Sequence, residues 1–205
     1  MSSNIILPHF NYIPVDLETF VAHTDIDFDL YIFNPQDQRT VLFCSKDKAF
    51  TEGNRRSLLR NKIKELYITA NDYMAYLRYV EKVLPSIITS VRFEEKEKVD
   101  YIFQCANLIM EDTVDEPDSQ ANVKRSRRFV KNVINYIGYR TQFFYSFLER
   151  LERNYSLRAH SLNVCVYSLA IVKKLNIHSL RTLEDVGLGS LLHDVGMTMI
   201  PDEIL

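Results

Sequence analysis

Three residues, His160, His193 and Asp194, have types and spacing that could do chemistry. The last two stand side by side in the closing stretch LLHDVGMTMIPDEIL. An adjacent His-Asp at a helix end can place an imidazole nitrogen and a carboxylate oxygen on one cation. Neighbours on a single helix cannot surround a metal, so a third ligand must come from another element. His160, on the preceding helix, is the candidate. A mixed nitrogen and oxygen set suits iron, manganese, zinc or another first-row ion, with no preference for soft sulfur ligation. Such an ion lowers the pKa of water and polarises a phosphoryl oxygen. The same residues also fit a plainer account, with His160 a core histidine and His193-Asp194 a polar helix terminus. Spacing alone leaves both accounts open.

Other reactive or charged groups carry less. Cys44, Cys105 and Cys165 are far apart, form no CxxC pair and sit among apolar residues, so buried thiols in a reducing cytosol are expected. His9 and His23 have no partner at ligand spacing and fit surface or capping roles. Arg55, Arg56, Arg60, Lys62 and Lys64 could receive a phosphate, though a solvated helix face explains them as well. The cluster KRSRR at 124–128 follows the acidic EDTVDEPD and is expected to lie on a solvated face or meet a charge partner within the chain.

Composition bounds the rest. The 205 residues can bury a real core, and 46% hydrophobic with 25% charged is ordinary for a soluble globular chain. A net charge of -2 gives no global attraction to a nucleic-acid polymer or a membrane. There is no basic start with a long apolar run and no window of about 18 uninterrupted apolar residues, so neither a signal peptide nor a membrane span is expected and the location is expected to be cytoplasmic.

The elements that must position the three residues form an α+β chain. Residues 1–84 are expected to be a small N-terminal α/β domain: a strand at 10–16, a short helix at 17–23 capped by Asp16, a hairpin from FDLYIF and RTVLFCS, a helix to about Ile63, the strand ELYIT, and a helix over 71–84 capped by Asn71. Residues 85–152 are expected to be a helical connector. Val99, Ile102, Phe103, Ala106, Ile109 and Met110 form one stripe, which DEPDS ends. A single helix is then expected over 119–152, about 51 Å long at about 1.5 Å per residue. Val123, Val130, Ile137, Phe144 and Leu151 recur along it every heptad, a seam that could pack in the core or join two copies of the chain. Residues 153–205 are expected to hold helices over 156–175 and 179–194, the second capped by Ser179. Gly187, Gly189 and Ser190 would let another helix come close, and Pro201 suggests a further helix start.

The stretch HSLNVCVYSLAIVKKLNI, followed by LEDVGLGSLLHDVGMTMIPDEIL, resembles the first part of an HD-GYP domain. The resemblance covers roughly residues 150–205 and rests on His160-Ser161, Leu191-Leu192-His193-Asp194, Gly196, Ile200-Pro201 and Ile204-Leu205. The segments FDLYI and ELYIT with DYMAYL are similar to an accessory domain that precedes some HD-GYP domains. The resemblance implies a partial HD-type helical fold. It also implies divalent metals, iron or manganese ahead of zinc, and a phosphodiesterase acting on cyclic di-GMP. Carried over by position, His160, His193 and Asp194 would be the metal ligands. The family lysine after His-Asp-x-Gly is Met197 here, and a thioether cannot supply that charge to a substrate phosphate. The family's later histidines, GYP loop and distal aspartate have no counterpart in these 205 residues. Three ligands would hold one ion, not a bridged pair, so either a fragment or a natural truncation is implied. Three functions follow as expectations: part of an enzyme inactive by itself, a degenerate signalling module, or a scaffold that dimerises through 119–152.

Overall fold

The computed structural model describes residues 12–36, 38–137, 141–151 and 157–200, with backbone alone at 141–144, 151, 157–158 and 198–199. His9, Pro201, Ile204 and Leu205 lie outside the described residues, as do the side chains of Phe143, Phe144 and Leu151. The chain divides into two compact units, residues 1–86 and 87–205.

The first unit is an antiparallel sheet with helices. Strands β1 (Tyr12–Asp16), β2 (Leu30–Asn34), β3 (Arg39–Cys44) and β4 (Glu65–Thr69) take the order β1-β4-β2-β3. The expected hairpin is β2 with β3, in register from Asn34 opposite Arg39, with an irregularity between Leu30 and Tyr31. Alternation sets the buried face: Val15, Leu66, Ile68 and Leu30 are buried. Helix α1 (Glu52–Arg60) starts on a capping box, with Asn54 N–H donating to Thr51 Oγ1 and Thr51 N–H to Asn54 Oδ1. Helix α2 (Tyr73–Thr89) turns Tyr76, Tyr79 and Val80 into the core and contains Pro85. Phe20 is the hub, with ring centroids 5.5 Å from Phe50 and 5.6 Å from Tyr79.

Two local expectations need correction here. The helix expected at 17–23 is only a 3₁₀ turn, Leu17–Thr19, because Phe20 turns extended and enters the core. Asp16 does cap it, accepting from Glu18 N–H at 2.7 Å. Asn71 does not cap α2. A 3₁₀ turn, Ala70–Asp72, precedes the helix, with Thr69 Oγ1 bonded to Asp72 Oδ2 at 2.7 Å.

The second unit is helical among its described residues. Helix α3 (Glu95–Asp115) buries the whole predicted stripe, Val99 to Met110, and packs against α4, α5 and α6. The single helix expected over 119–152 is two: α4 (Gln120–Ile137) and α5 (Thr141–Leu151), on either side of 138–140, which lie outside the described residues. Both rest on α3, so the heptad seam is not one continuous rod. Val130, Val133, Ile134 and Ile137 on α4 are buried within the chain. Helix α6 (Leu157–Lys174) packs on α3 and α7, and α7 (Leu180–Leu192) packs on α6 and α4.

Candidate functional site

Helix α7 sets half of the site. It begins where Ser179 Oγ accepts from Thr182 N–H, and Leu183, Gly187 and Leu191 form its buried face. At Gly187 α7 comes close to both α4 and α6. A Cβ there would lie 2.5 Å from Val130 Cγ1 and 3.3 Å from Leu169 Cδ2. Gly189, expected to serve the same purpose, has nothing within 4 Å of a Cβ position. Ion pairs also join α4 to α7: Lys131 Nζ lies 3.3 Å from Glu184 Oε1, and Arg127 Nη1 3.5 Å from Asp185 Oδ1. With Arg125 Nη1 at 2.6 Å from Asp112 Oδ2, the basic cluster finds charge partners within the chain, as the sequence suggested.

The helix stops at His193, and Asp194 leads into a 3₁₀ turn, Val195–Met199. An aspartate in that position ordinarily caps the turn. Asp194 makes no such side-chain bond, and its Oδ2 instead lies 3.0 Å from His193 Nε2 and 3.7 Å from His160 Nε2. Helix α6 supplies His160, whose ring centroid is 5.4 Å from that of His193. The structure thus brings together all three residues singled out from the sequence. Their ligand atoms all lie within 4.8 Å of one another, and each side chain is roughly one-third open to solvent.

The bond to Ser190 decides what this arrangement can do. His193 Nδ1 lies 2.9 Å from the Ser190 carbonyl oxygen. A carbonyl can only accept, so Nδ1 carries the hydrogen, and Nε2 of the neutral ring is a bare lone pair. That lone pair faces a carboxylate oxygen. Two acceptors at this distance repel unless a proton or a cation stands between them. A metal-binding histidine commonly has its other ring nitrogen tied in this way. The donor set therefore fits a first-row divalent ion. No thiolate competes on α6, because burial pushes the Cys165 thiol up to about 12; all three cysteines are free and buried.

Sequence reasoning missed the Ser190 carbonyl. Its signal was available: the last carbonyls of a helix have no donor within it, and a histidine at the C-terminal end can supply one. Met197 lies within the turn after Asp194, more than one-third exposed, with its N–H donating to the Asp194 carbonyl at 2.9 Å.

No protein-family model matches the chain, and no curated protein matches it. Among solved structures it is similar to Bd1817, a HDG"Y"P protein from Bdellovibrio bacteriovorus, with 20% identical residues and a TM-score of 0.54. The match covers 93% of this chain and 62% of that one. The chain therefore shares its fold with an HD-GYP protein, as the motif resemblance implied, and spans under two-thirds of that protein's length. No helix among the described residues is long and apolar enough to cross a membrane.

Proposed function

We propose that this chain carries the first part of a metal-dependent phosphohydrolase of the HD-GYP type, a cytoplasmic signalling protein whose substrate class is the cyclic dinucleotide cyclic di-GMP. The convergence of His160, His193 and Asp194 from two helices is the observation that carries this reading. His160 and His193 would bind through Nε2 and Asp194 through Oδ2. When bound, a divalent ion, iron or manganese ahead of zinc, supplies Lewis acidity toward water and a phosphoryl oxygen. Ser190 holds the His193 ring, and Gly187 lets α7 sit close enough to α6 for the two histidines to meet. Three ligands suit one ion rather than a bridged pair, so the 205 residues by themselves are expected to bind metal without turnover.

The test pairs elemental analysis with a product assay. Metal near one per chain, absent in His193→Ala, is expected after loading with iron or manganese. Cyclic di-GMP is expected to stay intact. Equal metal in the variant would refute the site, and linear pGpG from this chain would refute its inactivity.

A second reading, a non-catalytic dinucleotide-sensing module, is favoured by Met197 standing exposed where the resemblance expects a lysine. It predicts dinucleotide binding that persists without metal. A homodimer through 119–152 would draw on Tyr145 and Leu148, exposed apolar residues among the described side chains of α5, since Val130 and Ile137 of that seam are buried within one chain. Scattering on Tyr145→Asp beside the wild type tests it.

A further inference from the structure

The first unit contains a feature the proposed chemistry does not use. Strands β2 and β4 pair only at Tyr31 opposite Tyr67. Continuing that register would set Phe33 opposite Glu65, and no such pair forms. An open groove of about 910 Å³ lies there, between the β2–β3 hairpin and the loop joining α1 to β4. Ile32, Phe33, Ile63 and Tyr67 give it an apolar lining, and the Phe33 and Tyr67 rings meet edge to face at 6.4 Å. Asn34, Lys62 and Lys64 line it too, with Glu65 the only carboxylate among the lining residues.

Lys62 is the unusual member. Helix α1 ends with Lys62 N–H donating to the Leu59 carbonyl and Ile63 N–H to the Leu58 carbonyl, both at 3.0 Å. That bond pattern puts the intervening residue in left-handed backbone, and Lys62 has φ 58. Helix α6 ends with the same bonds around Asn176, φ 59, a residue type that tolerates the conformation. Glycine or asparagine would be relaxed at 62. A lysine stands there instead, and its ammonium makes no ion pair among the described residues. Lys64 lies beside the end of β1, where its carbonyl accepts from Leu17 N–H at 2.9 Å.

We propose that this groove binds a small organic anion: a flat apolar body held by Phe33 and Tyr67, carrying a carboxylate or phosphate-ester group that meets Lys62. The mixture of apolar walls and a few convergent polar groups is that of small-molecule sites. The ligand would act on the N-terminal unit, independently of the histidine cluster.

The test follows backbone amide shifts of the full chain by NMR, with chelator present to keep anions away from any metal. Phenyl phosphate, benzoate, benzyl alcohol and inorganic phosphate are the probes. Saturable shifts confined to 32–36 and 61–67 are expected with phenyl phosphate or benzoate, whichever is tighter identifying the anionic group. Benzyl alcohol and inorganic phosphate are expected to bind at least about tenfold more weakly, the effect of one charge-assisted contact or one buried ring. Lys62→Gly separates binding from structure. It relaxes the backbone, so the melting temperature is expected to rise, while the best probe weakens by about tenfold. Benzyl alcohol binding as tightly as benzoate would overturn the proposal. So would unchanged binding in Lys62→Gly, or no saturable shift at millimolar probe.

Discussion

Arg55 and His193 are both polar groups held against their own backbone, and they show how differently the two units treat charge. Arg55, in the first unit, is almost fully buried. It donates to the Phe20 carbonyl at 3.2 Å and to the Glu18 carboxylate, so both terminal nitrogens meet an acceptor and the charge is neutralised. His193, in the second unit, donates once, to Ser190, and then turns a lone pair toward the Asp194 carboxylate. The first arrangement is complete as it stands. The second calls for a cation or a proton. Burial with matched partners marks a structural group; half-exposure with mismatched partners marks a site.

The largest effect should come from spoiling the complete arrangement. Arg55→Ala removes the guanidinium that bonds both the Glu18 carboxylate and the Phe20 carbonyl. Removing one member of a buried pair costs about 3–5 kcal/mol, and the partial exposure of Glu18 places this case at about 3. Urea unfolding measures it, and a loss below about 1 kcal/mol would erase the contrast with His193. The incomplete arrangement should respond instead to an added ion. Manganese at about 100 times its dissociation constant should stabilise the wild type by about 2.7 kcal/mol and Asp194→Asn hardly at all. An equal gain in both proteins would place the ion elsewhere.

Two glycines sharpen the same contrast within α7. Gly187→Ala drives a Cβ onto Val130, whose branched side chain has little freedom to move, and should cost about 2 kcal/mol. Val130→Ala in the same chain should recover part of that loss, which a double-mutant cycle would show. Gly189→Ala meets open space and should stabilise by about 0.5–1 kcal/mol through helix propensity.

The smallest effect concerns pH. Burial raises the Asp16 carboxyl above its ordinary 3.8, opposed in part by the bond from Glu18 N–H. The folded state therefore binds this proton more readily than the unfolded one. This contribution is fully present below 3.8 and is lost as pH rises through the raised value. Asp16→Asn keeps a capping oxygen and cannot titrate, so its stability profile should lack that acid-side decline. Parallel profiles for the two proteins would show that Asp16 titrates normally.

Much of the fold was legible because its signals are local. The capping serine at 179, the β-rich runs of β2 and β3 around the Asn34-Pro35 turn, and the stripe from Val99 to Met110 each depend on a few neighbouring residues. The 17–23 segment misled because its period resembles a helix, while Phe20 is drawn into an aromatic cluster from distant parts of the chain. The 119–152 pattern misled in a related way. An apolar repeat shows that a face is buried, not that one helix carries it, and here α4 and α5 each lay their share of it against α3.

The sequence by itself determined which residue types were available to the site: two histidines and one aspartate, with Met197 beside them. It also determined where most helices begin, since caps and periodicity act over one or two turns. Only the tertiary structure decided that His160 meets His193 and Asp194, and that Gly187 rather than Gly189 is a point of close approach. Those outcomes rest on contacts between residues far apart in the chain, where packing of one helix against another, and not local preference, sets the distance.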